Sequence, residues 1–209
     1  MDANDAADQI KDVADESAEK KTQAFRNRAA ISIAILALLL AITSLAGNNV
    51  SQDIVNNNII ASDTWAFYQA KNIRQTSYKL AADELELLKP SVPIEQQKVV
   101  SKKIEEYKAT IARYESEPDP NDPDNPLKGE GKKDLIARAQ NLEHQRNKAQ
   151  EQSPNFDYSS ALFQIAIVLG SVSIVATSRP LLLFSLALGI LAIVLMLNGF
   201  FLLSPLPFG

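Results

Sequence analysis

The sequence predicts an all-α membrane protein: one transmembrane helix, an extramembrane antiparallel helical stalk with coiled-coil character, then a two-helix transmembrane hairpin. Three observations predict it. The runs 29–47, 161–178 and 181–203 contain no Asp, Glu, Lys, Arg or His. A helix rises about 1.5 Å per residue and a bilayer core is roughly 30 Å thick, so runs of this length reach across. Charge is segregated from them, since of 25 acidic and 21 basic residues only Arg179 lies in the last fifty positions. Between the first and second runs the chain is rich in charge and holds only Gly129 and Gly131, the composition of long charged helices rather than of a β-domain.

Residues 1–28 form an acidic arm with a basic juxtamembrane end. Seven acids and one Lys occupy positions 1–19, where Ala6, Ile10 and Val13 have helical spacing; a short amphipathic helix and a solvated arm are both open. Lys20, Lys21, Arg26 and Arg28 then crowd the start of the first span, 29–47. Ser44-Leu45-Ala46 resembles a signal-peptidase site, but the apolar run exceeds a signal h-region and the arm before it is too long and too acidic. A retained anchor is the reading.

The region 48–160 is the stalk. From Val50 to Leu88 the pattern is helical, and Lys89-Pro90-Ser91-Val92-Pro93 ends it because a residue before proline is pushed out of the α region. Val100, Ile104, Tyr107, Ile111 and Tyr114 recur at spacings of four and three, as do Leu135, Ala139, Leu142, Arg146 and Ala149. These are coiled-coil seams that need a partner, and the Val50–Leu88 segment is the nearest. Segment lengths then require an antiparallel three-helix stalk, with the connection between the second and third helices climbing back outward.

That connection, the acidic Pro-rich loop 117–132, places Asp119, Asn121, Asn125 and Glu130 at positions 1, 3, 7 and 12 of a calcium loop. Pro123 at position 5 has no side-chain oxygen, and Asp124 stands where the turn glycine belongs. A solvated, proline-stiffened loop is the reading, calcium the alternative. The spans 161–178 and 181–203 follow, joined by Ser178-Arg179-Pro180, and the tail 204–209 is uncharged. Cations at the start of span one and at Arg179 place the N-terminus and that turn in the cytoplasm and the stalk and C-terminus outside.

Several function classes are excluded. No ionisable side chain lies at membrane depth to serve a pump. There is no phosphate-binding glycine loop, nucleophile elbow or metal spacing, cysteine is absent, and His144 is alone, so neither catalysis nor a cofactor is expected. A net charge of -4 gives no footprint for nucleic acid. The remaining signals concern packing. Small residues run along each span, Ala30, Ala34, Ala37, Ala41 and Ser44 in the first, Ala166, Gly170, Ser173 and Thr177 in the second, Ser185, Gly189 and Ala192 in the third. In lipid such stripes permit close helix approach, within one chain or between chains. Gln164, Ser171 and Asn198 are polar at depth and would bond between helices or line a pore.

The stretch Ala61-Ser62-Asp63-Thr64-Trp65-Ala66-Phe67-Tyr68-Gln69-Ala70-Lys71-Asn72-Ile73-Arg74 resembles an uncharacterised family of bacterial membrane proteins known by a domain-of-unknown-function label. The likeness extends to Leu162-Phe163-Gln164-Ile165-Ala166-Ile167 and to the one-plus-two arrangement of spans. It implies architecture and no chemistry. Read physically, Trp65, Tyr68, Gln69, Asn72 and Ile73 share a helix face that either packs under the other stalk helices or binds a partner chain. The functional expectation is a non-enzymatic membrane scaffold or accessory protein that self-associates or joins a larger membrane complex through Ala34, Ala41, Gly170, Ser173, Gly189 and the aromatic face. The alternative is a channel or transporter accessory subunit with Gln164, Ser171 and Asn198 along a passage.

Overall fold

The computed structural model describes the backbone of residues 3–204, with side chains from residue 16 onward apart from residue 18. The proposed face of Ala6, Ile10 and Val13 lies outside the described side chains. All regular structure among the described residues is helical: α1 (Ala3–Leu88), a 3-10 turn (Lys89–Ser91), α2 (Ile94–Glu115), α3 (Lys132–Val175) and α4 (Arg179–Phe201). α1, α3 and α4 are each long and apolar enough to cross a membrane.

The first apolar run and the Val50–Leu88 segment are one continuous helix, as are the third stalk segment and the second apolar run. α1 passes through Gly47-Asn48-Asn49 without a break. A mid-helix glycine costs about 1 kcal/mol relative to alanine, but here its missing side chain makes room: a Cβ on Gly47 would lie 3.2 Å from Phe156 Cβ. α3 likewise runs through Pro154. It stops at Val175, three residues before the predicted end of span two, because Thr177 takes a left-handed conformation (φ 48) and Ser178 N–H donates back to the Ser173 carbonyl at 3.0 Å.

The chain divides into two compact units, Met1–Gln52 with Ala149–Gly209, and Asp53–Lys148. In the first, Leu36 of α1, Phe163 and Ala166 of α3, and Ala192 and Met196 of α4 form one apolar cluster. Small residues bring α3 and α4 together: Ser185 Oγ donates to the Ala166 carbonyl at 2.6 Å and Ser159 Oγ to the Ala192 carbonyl at 2.7 Å, whereas Thr177, the last residue of the span-two stripe, lies beyond α3 and is exposed. Span one does not pack through its alanine stripe within the chain. Ala30, Ala34, Ala37 and Ala41 are exposed, and α1 packs instead through Ala29, Ile33, Leu36, Leu40 and Thr43. A close contact needs a small residue on one side only. A Cβ on Gly189 would sit 2.6 Å from Leu36 Cδ2, and one on Gly170 2.9 Å from Ile33 Cγ1, so the glycines are holes that receive the large side chains of α1.

In the second unit, α1 packs through Ala61, Thr64, Lys71, Gln75 and Ala82, α2 through Ile104, and α3 through Leu135 and Ala139. The Tyr78 ring meets Tyr107 at 5.3 Å and Tyr114 at 6.0 Å. The two sequence seams therefore turn inward, with Arg146 at its rim donating to Asn58 Oδ1 at 3.0 Å.

Candidate functional site

The most organised polar group in the molecule is centred on Lys71, which the helical period places on the inner side of α1 one turn before Gln75. Lys71 is 5% exposed. Its ammonium donates to Glu117 Oε2 at 2.8 Å and to the Glu130 carbonyl, and stands over the Phe67 and Tyr114 rings at 5.3 and 5.6 Å. One α1 cation thus holds both ends of the loop that joins α2 to α3, and Glu130 N–H closes that loop by donating to the Glu117 carbonyl at 2.8 Å. Gln75, 1% exposed, extends the network: its amide donates to the Ile111 carbonyl (2.9 Å) and Glu115 (3.1 Å), and its carbonyl accepts from Lys132 at 2.9 Å. Lys132 completes the group above the Tyr68 ring at 5.8 Å. The Gln75 hydrogen bond, with the Lys132 charge, holds the Glu115 carboxyl below its ordinary range against the smaller opposing effect of burial.

Every member is spent on another, and among the described residues no buried side-chain nitrogen or oxygen lacks a partner. Such an arrangement fixes register and position, and it presents no free base, nucleophile or ligand set. No group of three His, Asp or Glu able to hold a metal occurs among the described residues. The four calcium-loop candidates are dispersed in local turns: Asp119 Oδ1 accepts from Asn121 N–H, Asn125 Oδ1 accepts from Leu127 N–H, and Glu130 faces Lys71.

The structure splits the predicted aromatic and amide face. Trp65 Nε1 donates to Glu143 on α3 at 2.9 Å, and its ring meets Tyr68 edge-on at 5.7 Å, so both rings belong to the inner packing. Gln69 and Asn72 are exposed. Gly170, Ser173 and Gly189 are buried inside the chain, whereas Ala34 and Ala41 are uncovered. Of the polar span residues, Gln164 is exposed, Ser171 Oγ returns its proton to the Ile167 carbonyl, and Asn198 bonds the buried Asn155 at 2.6 Å.

Sequence reasoning missed Lys71 and Gln75. The signal was their place at positions i and i+4 of the inner face, where a charged residue must be paired. It also missed a repeat on the opposite face of α1. Ile59, Ala66, Ile73, Leu80 and Leu87 follow one another at intervals of seven, and all are exposed; Ile73 is 67% and Leu80 65% exposed.

A domain of unknown function, DUF4337, matches residues 25–202. The chain belongs to the DUF4337 family. The DUF4337 match takes in Lys71, Gln75, the aromatic pair, the α2–α3 loop and all three long apolar runs, and leaves out most of the acidic arm. No curated protein and no solved structure matches the chain.

Proposed function

We propose that this DUF4337 protein is a non-enzymatic integral protein of a bacterial inner membrane that self-associates and serves as a scaffold or accessory subunit. In this reading 29–47, 161–178 and 181–203 are the spans, the last two a hairpin, and 48–160 is an antiparallel coiled-coil stalk on the periplasmic side. The carrying observation is the uncovered seven-residue repeat of α1. A helix buries one seam in its own bundle here, and a second apolar seam on the opposite face is exposed and has no partner among the described residues. Copies inserted in one orientation present parallel α1 helices, so like layers meet, Ile73 on Ile73 and Leu80 on Leu80, as in parallel coiled coils. Exposed Ala34 and Ala41 offer the same neighbour a close approach inside the bilayer.

Native mass spectrometry of gently solubilised protein tests this. The wild type is expected as an oligomer, and Ile73→Glu with Leu80→Glu as a monomer with unchanged helical circular dichroism. A monomeric wild type removes the proposal. Because the chain has no cysteine, Ile73→Cys can also be oxidised in membranes, where a disulfide-linked dimer is expected at this position and not at the exposed Lys98→Cys.

A further inference from the structure

A cleft of about 490 Å³ opens between the basic end of α1 and the first turn of α4, lined by Lys21, Phe25, Arg28, Arg179, Leu182 and Leu183. Three cations from segments more than 150 positions apart meet there, and no carboxylate among the described residues lines it. None of the three makes an ion pair or a side-chain hydrogen bond among the described residues, whereas the neighbouring Lys20 is paired with Glu16 at 2.6 Å. The α4 N-terminus adds to the field, because Ser178 gives it no side-chain cap and the positive end of the helix dipole stays uncompensated. Like charges repel when brought together, so such a grouping is stable only with an anion or with water screening it. The remaining wall is apolar, formed by Phe25, Leu182 and Leu183, and Leu183 is 67% exposed.

We infer that this cleft holds the phosphate of an anionic phospholipid, with Arg28 and Arg179 on the phosphate oxygens, Lys21 at its outer side and the acyl chains along Phe25, Leu182 and Leu183. A planar guanidinium suits phosphate geometry, and arginine keeps its charge at any physiological pH. A free phosphate would satisfy the cations and leave the apolar wall unused; a zwitterionic lipid would bring its own ammonium into a site that already has three cations. The inference rests on the membrane reading above. It adds a lipid held at a defined site, distinct from the general attraction of basic flanks to an anionic surface.

The test uses the full chain reconstituted in phosphatidylcholine membranes doped with phosphatidylglycerol, with lipid retained per chain read by native mass spectrometry after mild detergent extraction. Phosphatidylglycerol is expected to be retained in preference to phosphatidylcholine. Near a membrane each cation contributes about 1 kcal/mol, or roughly fivefold, so Arg28→Gln with Arg179→Gln should lower retention about twenty-five-fold. Arg26→Gln, which lies on another side of α1 beside Glu19 and Lys20, should leave it unchanged, and Arg28→Lys with Arg179→Lys should restore part of it, returning the charge without the planar fork. Equal loss with Arg26→Gln, no preference for phosphatidylglycerol, or failure of the Lys variant to restore binding overturns the site. Displacement of the lipid by inorganic phosphate shows a soluble anion site instead and overturns the lipid assignment. Alkaline carbonate extraction of native membranes separates the two readings: a chain that washes out loses both, and a chain that stays without a lipid preference loses this one alone.

Discussion

Without the Lys71 ammonium, the Glu130 carbonyl loses its side-chain donor and the Glu117 carboxylate keeps only the Arg113 guanidinium at 3.7 Å. Breaking a buried pair from one side costs several kcal/mol, but Glu117 is 32% exposed and can recover water. Lys71→Met is therefore expected to destabilise the protein by about 1–3 kcal/mol in chemical denaturation. The loss should be local, with faster hydrogen exchange in residues 116–131 than in the spans. Arg at this position should not restore it, since its planar fork cannot replace a tetrahedral ammonium between two acceptors and two rings. Trp65 offers a second comparison at the same scale. Trp65→Phe keeps a ring against Tyr68 and removes only the donor to Glu143, at a cost of about 1 kcal/mol, whereas Trp65→Ala opens the packing and should cost about 3 kcal/mol or more. Equal costs in a denaturation series would mean that the ring contributes nothing beyond its hydrogen bond.

At the scale of elements, the glycines of α3 and α4 set how closely α1 approaches. Gly189→Leu must push Leu36 aside and Gly170→Leu must displace Ile33 and Ser185 Oγ. Overpacking of this kind costs about 1–3 kcal/mol and should lower thermal stability in detergent, while Ala34→Leu, on the uncovered face of α1, should leave the isolated protomer unchanged. The ion pair within α2 and the contacts that attach α2 to its neighbours have a pH signature. Glu86 is held below its ordinary 4.5 by the hydrogen bond and charge of Lys108, Glu106 by those of Lys103, and Glu115 by the Gln75 hydrogen bond with Lys132. A lowered carboxyl stabilises the fold fully above its unfolded value and loses that contribution as pH falls through the lowered one. Lys103 and Lys108 are raised above 10.5 by the same pairs, so their contribution is complete below that value and lost as pH rises through the raised ones. Stability should thus be insensitive to these groups near neutrality and fall on acidification from about pH 4.5 downward. Glu115→Gln should flatten part of that acid limb, which denaturation midpoints measured across the range would show.

For the whole molecule the decisive measurement is orientation. The cations of the arm and Arg179 predict a cytoplasmic N-terminus, which puts the exposed loop residue Ser116 outside. Ser116→Cys, the sole thiol in the chain, should react with a membrane-impermeant reagent in spheroplasts; reaction only after lysis would reverse the topology. An inverted chain would also move the basic cleft to the outer leaflet.

The all-helical class, the three apolar helices and the proline stop after Leu88 could be read from residue order because each is a local property: run length, helical period, and the backbone restriction before proline. So could the inward seams of α2 and α3, since a four-and-three repeat is itself the geometry of burial. The contact that Gly47 makes could not, because its missing side chain matters only where Phe156 of α3 packs against it. The choice of face on span one was also undecided in the sequence. Its alanines and its Leu36 seam are both regular stripes, and the facing glycines of α3 and α4 select the larger one. Lys71, Gln75 and the basic cleft depend wholly on tertiary structure, since the charges that meet there come from distant parts of the chain and electrostatic energy depends on distance in space rather than along the sequence.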